Sequence, residues 1–377
     1  MRILHIDPDD FDNPLSGGGP IRAFEIYRRL ARRHEITVLT PTFPGSTPEK
    51  MREGVRYIRL GRRIGDHGSS HHITFFFSLP RAVRRFEYDL IVEDFMPPMA
   101  VTFTPFFAKA PLIASVQWFF AGLLSRQYKL PFFLGERYGI RLYSNFIVLT
   151  ESMKQLILSR HPNARCEVIP SAVNDEILFE IEPRMGDFIL YIGRIEIQQK
   201  GLDLLIAAFA QIPETERLPL VLAGGGYDLE RVQQLAAEAG LGGWVRFAGK
   251  VDATEKAMLL RDCRFVCVPS REETFGLTIL EACAAAKRVV LFDRPPMNEV
   301  APRGACLCVT RFDAKDYAGA MRQLITAPDA EMMAQGLACR VWARRYRWDA
   351  IAAQQERFYE SVTAAQGHQG PGGEPRP

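Results

Sequence analysis

The chain has 377 residues, 47% hydrophobic and 24% charged, with a net charge of +3. That composition excludes a disordered or fibrous protein, and so small a basic excess argues against nucleic acid as a partner. No segment reaches ~20 apolar residues without a charge, so no membrane span is expected, and the length suits two domains.

From the amino terminus, "RILHI" at residues 2–6 reads as a strand, and "MRILHIDPDDFD" lacks the apolar stretch and small-residue cleavage site of a secretion signal. The acids Asp7, Asp9, Asp10 and Asp12 form two D-x-D triplets. Between a first strand and Gly17 they read as a polar loop rather than a metal site, with Asp12 or a neighbour a candidate for touching an acceptor. Next, "PIRAFEIYRRLARRH" places Ile21, Phe24, Tyr27, Leu30 and Ala31 on one helical stripe, which covers a sheet. The runs "EITVLTP", "LIVED", "PLIASV" and "NFIVLT" then alternate with longer 3.6-period segments, the pattern of βαβ units on a parallel sheet. Arg59, Arg62 and Arg63, followed by His71 and His72, read as a basic flexible loop. Phenylalanine doublets and triplets at 75–77, 106–107, 119–120 and 132–133 read mostly as core. Mixed with Arg81, Arg84, Arg85, Lys129 and Arg137, some of them suit an apolar-basic face at a membrane surface.

Residues 174–187, "NDEILFEIEPRMGD", are acidic, carry Pro183 and Gly186, and have no sustained period, so they are expected to form a hinge after a first domain of residues 1–173. A second βα series fills 188–340. Helix is expected over 314–326 and 331–363, and a disordered tail over 364–377. The seven cysteines include no C-x-x-C, and the close pairs, Cys263 with Cys267 and Cys306 with Cys308, suit reduced buried thiols in the cytosol better than zinc.

Glycines gather where strands hand over to helices, at Gly17, Gly18 and Gly19, at Gly193, and at Gly224 to Gly226, the edge at which open α/β sheets bind ligands. In "YIGRIEIQQKG", Arg194 and Lys200 stand six residues apart at a strand end and a helix start, as a forked donor and a point charge for a diphosphate. In "REETFGLTILEA", Gly276, Leu277 and Thr278 sit at a helix N-terminus, where unpaired N–H groups and the helix dipole favour phosphate. Glu281, one turn in, suits ribose hydroxyls, and Glu273, in the preceding loop, suits the sugar beyond. A glutamate near a helix start also serves as a capping or dipole partner.

The Gly-Arg-x5-Lys-Gly segment followed by Glu-x7-Glu around Phe-Gly-Leu resembles the retaining GT-B glycosyltransferases of family GT4, as do "VIPSAVN", "LAGGG" and "VRFAGKV". The resemblance implies an α/β fold of two Rossmann-like domains facing a central cleft, with a helix over 341–363, near Trp342 and Trp348, crossing back to the first domain. It assigns Arg194 and Lys200 to the donor diphosphate, Glu281 to the ribose and Glu273 to the transferred sugar. Gly276, Leu277 and Thr278 would supply phosphate-binding amides, Gly249, Lys250 and Val251 would read the nucleobase, and Gly17 to Gly19 would approach phosphates or acceptor. A metal-independent hexosyltransferase is implied, working from a nucleotide sugar onto a saccharide or lipid-linked glycan. It is expected in the cytoplasm, with peripheral membrane contact through the first domain.

Three positions depart from the family pattern. Gln117 stands where a histidine is common, and glutamine hydrogen-bonds without titrating. Ala286, Lys287 and Arg288 replace Gly-x-Pro after the glutamate helix, so that helix end needs another cap. Pro295 and Pro296 replace a Gly-Gly pair and offer no N–H. Rival readings are a sugar-nucleotide epimerase on the same architecture and a non-catalytic nucleotide-sugar-binding protein.

Overall fold

The computed structural model describes residues 1–14, 16, 18–62, 70–95, 104–117, 119, 121–122, 125, 129–173 and 176–367. The chain forms two compact units, Met1–Ser171 with Trp348–Pro377, and Ala172–Arg347.

The first unit is built on an eight-stranded sheet. Its strands are β1 (Arg2–Ile6), β2 (Glu35–Pro41), β3 (Glu49–Arg52), β4 (Val55–Leu60), β5 (Leu90–Asp94), β6 (Leu112–Val116), β7 (Asn145–Val148) and β8 (Arg165–Val168), in the order β3-β4-β2-β1-β5-β6-β7-β8. All neighbours are parallel except β3, which pairs antiparallel with β4. The helix Gly18–Leu30 buries Ala23, Phe24, Ile26, Tyr27 and Leu30, whereas Ile21, expected on that stripe, faces outward. Its second buried face accommodates a cation: Arg22 donates to the Ile169 carbonyl (2.9 Å) and to Gln355 Oε1 (3.2 Å).

Gln355 belongs to the last helix, Trp348–Gly367, which also meets the first helix through Tyr359 and Tyr27 (3.3 Å) and sends Glu356 to His34 (2.6 Å). The single long helix expected over 331–363 is in fact two. Asp329–Ala343 ends in a 3-10 turn at Arg344–Tyr346, and Trp348 starts anew. Residues 364–367, expected as tail, continue that helix, and 368–377 lie outside the described residues.

The second unit carries β9 (Ile189–Ile192), β10 (Leu220–Ala223), β11 (Val245–Gly249), β12 (Phe265–Val268), β13 (Val289–Phe292) and β14 (Leu307–Val309), all parallel, in the order β11-β10-β9-β12-β13-β14. Every residue of β9, β10, β12 and β13 is buried, as expected of a parallel sheet covered on both faces. Strand order reverses between β9 and β12, which opens a crevice beyond their carboxyl ends. Of residues 174–187, expected as a hinge, 174–175 lie outside the described residues and 176–187 are tied to this unit. The Arg184 carbonyl accepts from Lys287 Nζ, and the Ile181 carbonyl accepts from Arg340 (2.7 Å).

Candidate functional site

The loops that leave β9 and β12 flank the reversal point, and backbone and side-chain bonds join them. Arg271 N–H and Glu272 N–H both donate to the Gln199 carbonyl (2.9 and 3.2 Å). The Arg271 guanidinium grips Asp203 through two bonds (2.7 and 2.8 Å) and reaches the Ile197 carbonyl (2.8 Å). Burial pushes the Asp203 carboxyl up, but the bonds and charge of Arg271 outweigh it and leave it below its ordinary value. Gly201 takes φ 67°, and a Cβ there would lie 2.2 Å from the Pro269 carbonyl oxygen, so only glycine lets the loops approach this closely.

The joined loops bring Lys200 Nζ to 2.8 Å from Glu273 Oε1, and Ser270 Oγ donates to the same oxygen (2.8 Å). Neither member of the ion pair is far exposed, at 17% and 12%. Arg194 is placed differently. Its carbonyl is held by the Tyr191 hydroxyl (2.6 Å), while its side chain is 59% exposed and passes 3.5 Å from Glu196. The two cations singled out by spacing thus share the β9 loop, each beside its own carboxylate.

Gly276 caps the helix Leu277–Ala284 in a left-handed conformation (φ 99°), so Leu277 and Thr278 occupy the first turn as expected. Glu281 is buried in that helix and receives Lys256 Nζ at 2.8 Å. Lys256 was not signalled by the sequence, because its helix, Ala253–Asp262, shows only a capping box of Asp252 with Glu255 and an ordinary amphipathic run. Ser270 and Asp203 stand outside the quoted motifs, and Arg271 opens "REETFGLTILEA" without any sign in the sequence of its pairing with Asp203. Gly249 closes β11 with its carbonyl bound to Gly224 N–H (2.7 Å), Lys250 is exposed, and Val251 is half-buried.

The charges that replace Gly-x-Pro point inward. Ala286 takes φ 58° in place of glycine, and Lys287 N–H reaches back to the Ala282 carbonyl (2.8 Å), which caps the helix. Lys287 Nζ also donates to the Cys263 carbonyl (2.7 Å), and Arg288 donates to the Ala305 carbonyl (2.7 Å). Pro295 is exposed, and Pro296 is buried at the start of the turn Met297–Val300.

In the first unit, Gly18 and Gly19 open the Gly18–Leu30 helix, and Gly17 lies outside the described residues. Around Gly19 stand Asp94, at the end of β5, and Gln117, just past β6. Asp94 Oδ1 lies 3.4 Å from His5 Nε2, and His5 Nδ1 meets the Tyr27 hydroxyl (2.5 Å). Burial, with the nearby Asp94 charge, drives the Asp7 carboxyl well up. His5, Asp7 and Asp94 place three potential ligand atoms within 4.8 Å of one another.

Two readings of this unit need correction. Arg59 is buried between Asp10 (2.8 Å) and Asp12 (2.7 Å), because two carboxylates at the sheet edge offset its desolvation, so it is not part of an open basic loop. Asp12 also holds Lys50 and Arg52 (both 2.8 Å). His71 and His72 lie in the helix Ser70–Arg85, while Arg63 lies outside the described residues. Of the aromatic clusters, Phe75 is core, whereas Phe77, Phe106 and Phe133 are exposed. Among the described residues, no helix is long and apolar enough to cross a membrane.

The sequence pattern of the family described as Glycosyl transferases group 1 matches residues 174–336, and that of Glycosyltransferase Family 4 matches residues 16–177. A phosphatidyl-myo-inositol mannosyltransferase from Mycolicibacterium smegmatis is 27% identical over 97% of this chain and 95% of its own. A GDP-mannose:cellobiosyl-diphosphopolyprenol alpha-mannosyltransferase from Xanthomonas campestris is 25% identical over 97% and 98%. Among solved structures, a sucrose-phosphate synthase from Thermosynechococcus elongatus superposes with a TM-score of 0.77 at 22% identity, covering 97% of this chain and 100% of its own. HepE from Anabaena, solved with UDP and glucose, gives 0.73 at 18%, covering 96% and 100%.

Proposed function

The chain is a GT4-family glycosyltransferase of GT-B fold, and from that premise we propose that it moves a sugar from a nucleoside-diphosphate sugar to a hydroxyl of a saccharide or lipid-linked glycan, with retention of configuration. The observation that carries this reading is the second unit's crevice at the β9/β12 reversal. There Lys200 and Glu273 sit 2.8 Å apart beside the helix that begins after Gly276. A diphosphate takes its charge partners from Lys200 and Arg194 and its hydrogen bonds from the first-turn amides of Leu277 and Thr278. These are preorganised donors for the charge that grows on the leaving group. Glu281, held by Lys256, accepts from the ribose, Glu273 faces the sugar, and Gly249 to Val251 line the base. Retention follows if the departing phosphate takes the acceptor's proton on the same face, which requires neither a protein nucleophile nor a metal at the donor. Gly18 and Gly19 are assigned to the acceptor side.

Two observations favour a lipid-linked acceptor at a membrane surface. The names of both mannosyltransferase relatives include lipid acceptors. In this chain, Ile73, Phe77, Arg81, Arg84 and Arg85 lie exposed along one side of the Ser70–Arg85 helix.

A thermal-shift screen of UDP, GDP, ADP and their sugars tests the donor assignment. One nucleoside diphosphate is expected to raise the unfolding temperature well above the others, because a ligand that binds only the folded state stabilises it by mass action. No shift with any of them rules the reading out.

A further inference from the structure

Three cysteines distant in sequence meet inside the second unit. Cys306 Sγ lies 4.0 Å from Cys283 Sγ and 3.8 Å from Cys339 Sγ, and all three sulfurs fall within 4.8 Å of one another. All three residues are buried. A metal held by thiolates at about 2.3 Å separates its sulfurs by about 3.8 Å in a tetrahedral and about 4.0 Å in a trigonal arrangement. We propose that Cys283, Cys306 and Cys339 form a structural site for one soft, thiophilic cation of the zinc(II) or copper(I) class.

The elements that bring the sulfurs together are held by independent bonds. Cys283 is in the last turn of the Leu277–Ala284 helix and Cys339 in Asp329–Ala343, and these helices are joined next to both cysteines by Arg340 Nε donating to the Ala284 carbonyl (2.8 Å). Gly336 allows the approach, since a Cβ there would lie 2.2 Å from the Ala286 carbonyl oxygen. Cys306 is anchored by its own N–H to the Pro302 carbonyl (3.1 Å) and, through Ala305, to buried Arg288 (2.7 Å). The donor set is all sulfur, and no histidine or carboxylate joins the group among the described residues. Such a set selects soft ions over magnesium or calcium. Loading displaces one proton from each thiol, so the three-thiolate cluster carries one negative charge with zinc(II) and two with copper(I). The ion would clamp the far end of the helix that bears Glu281, making this a positioning site rather than a reacting one.

The test uses the full chain, stripped by a chelator in a thiol-free reductant and titrated with cobalt(II). A thiolate-to-cobalt charge-transfer band is expected to saturate at one ion per chain. Zinc(II) or copper(I) is then expected to bleach the band and raise the unfolding temperature, and the ion effective at the lower concentration identifies the class. Cys306→Ser and Cys339→Ser are expected to abolish the band. The idea is overturned if wild-type protein develops no band, or if the band survives in both serine variants. A Cys306–Cys339 disulfide in freshly purified protein, seen by non-reducing peptide mass mapping, overturns it as well.

Discussion

Lys200 spends one of its three donors on Glu273, whose Oε1 also accepts from Ser270, so the lysine arrives at the crevice already oriented. Lys200→Ala therefore removes a positioned cation and leaves a half-buried carboxylate with one fewer partner. Nucleoside-diphosphate affinity is expected to fall roughly 10- to 100-fold, as for loss of a charge-assisted bond, with a matching loss of transfer. Calorimetric titration checks this, and unchanged affinity would remove Lys200 from the donor site. Glu93, buried in β5 against Tyr143 (2.8 Å) and Thr104 (3.2 Å), is a second residue with a measurable signature. Burial outweighs those bonds and pushes its carboxyl up to about 8. The folded state then binds a proton that the unfolded state releases near pH ~4.3. The resulting stability is complete below that value and is lost as pH rises through about 8, at a slope of about 1.4 kcal/mol per pH unit. Urea midpoints of wild type should decline across this window, and those of Glu93→Gln should decline less. Parallel curves would refute the assignment.

Among the elements, the proposed donor site depends on how tightly the β9 and β12 loops are joined. Gly201 is the point of closest approach, and Gly201→Ala adds a left-handed penalty to a clash with the Pro269 carbonyl. The expected destabilisation is about 2–4 kcal/mol. Nucleotide affinity should fall too, although no charge is changed, because the turn carrying Lys200 must move. If unfolding and binding both match wild type, the close approach is not needed. The glycines, cations and helix start of the proposed site were legible in "YIGRIEIQQKG" and "REETFGLTILEA". The pairings of Lys256 with Glu281 and of Arg271 with Asp203 were not legible, because the partners lie 25 and 68 residues apart and only folding makes them neighbours. The inward turn of Lys287 and Arg288 was equally hidden, since it depends on carbonyls supplied by other segments.

For the molecule as a whole, peripheral attachment is the property to measure. Phe77 is 77% exposed and follows Ile73 by four residues, with Arg81, Arg84 and Arg85 continuing the same side of the helix. Wild-type protein is expected to sediment with vesicles containing anionic lipid, less so as salt rises. Replacing Arg81, Arg84 and Arg85 by alanine is expected to weaken binding by about 1 kcal/mol per charge. Equal sedimentation with neutral vesicles, or no effect of the substitutions, would count against a membrane face. Hydrophobic period, glycine position and helix-start chemistry are local properties, so residue order alone carries the alternation of strands and helices, the two-domain plan and the motifs assigned to the proposed donor site. The burial of Arg59 between Asp10 and Asp12, the start of the final helix at Trp348 against the first, and the convergence of Cys283, Cys306 and Cys339 arise only in the folded chain. Those outcomes depend on which distant side chains share a dry interior, where an unpaired charge or polar group is costly, and spacing along the chain does not encode that.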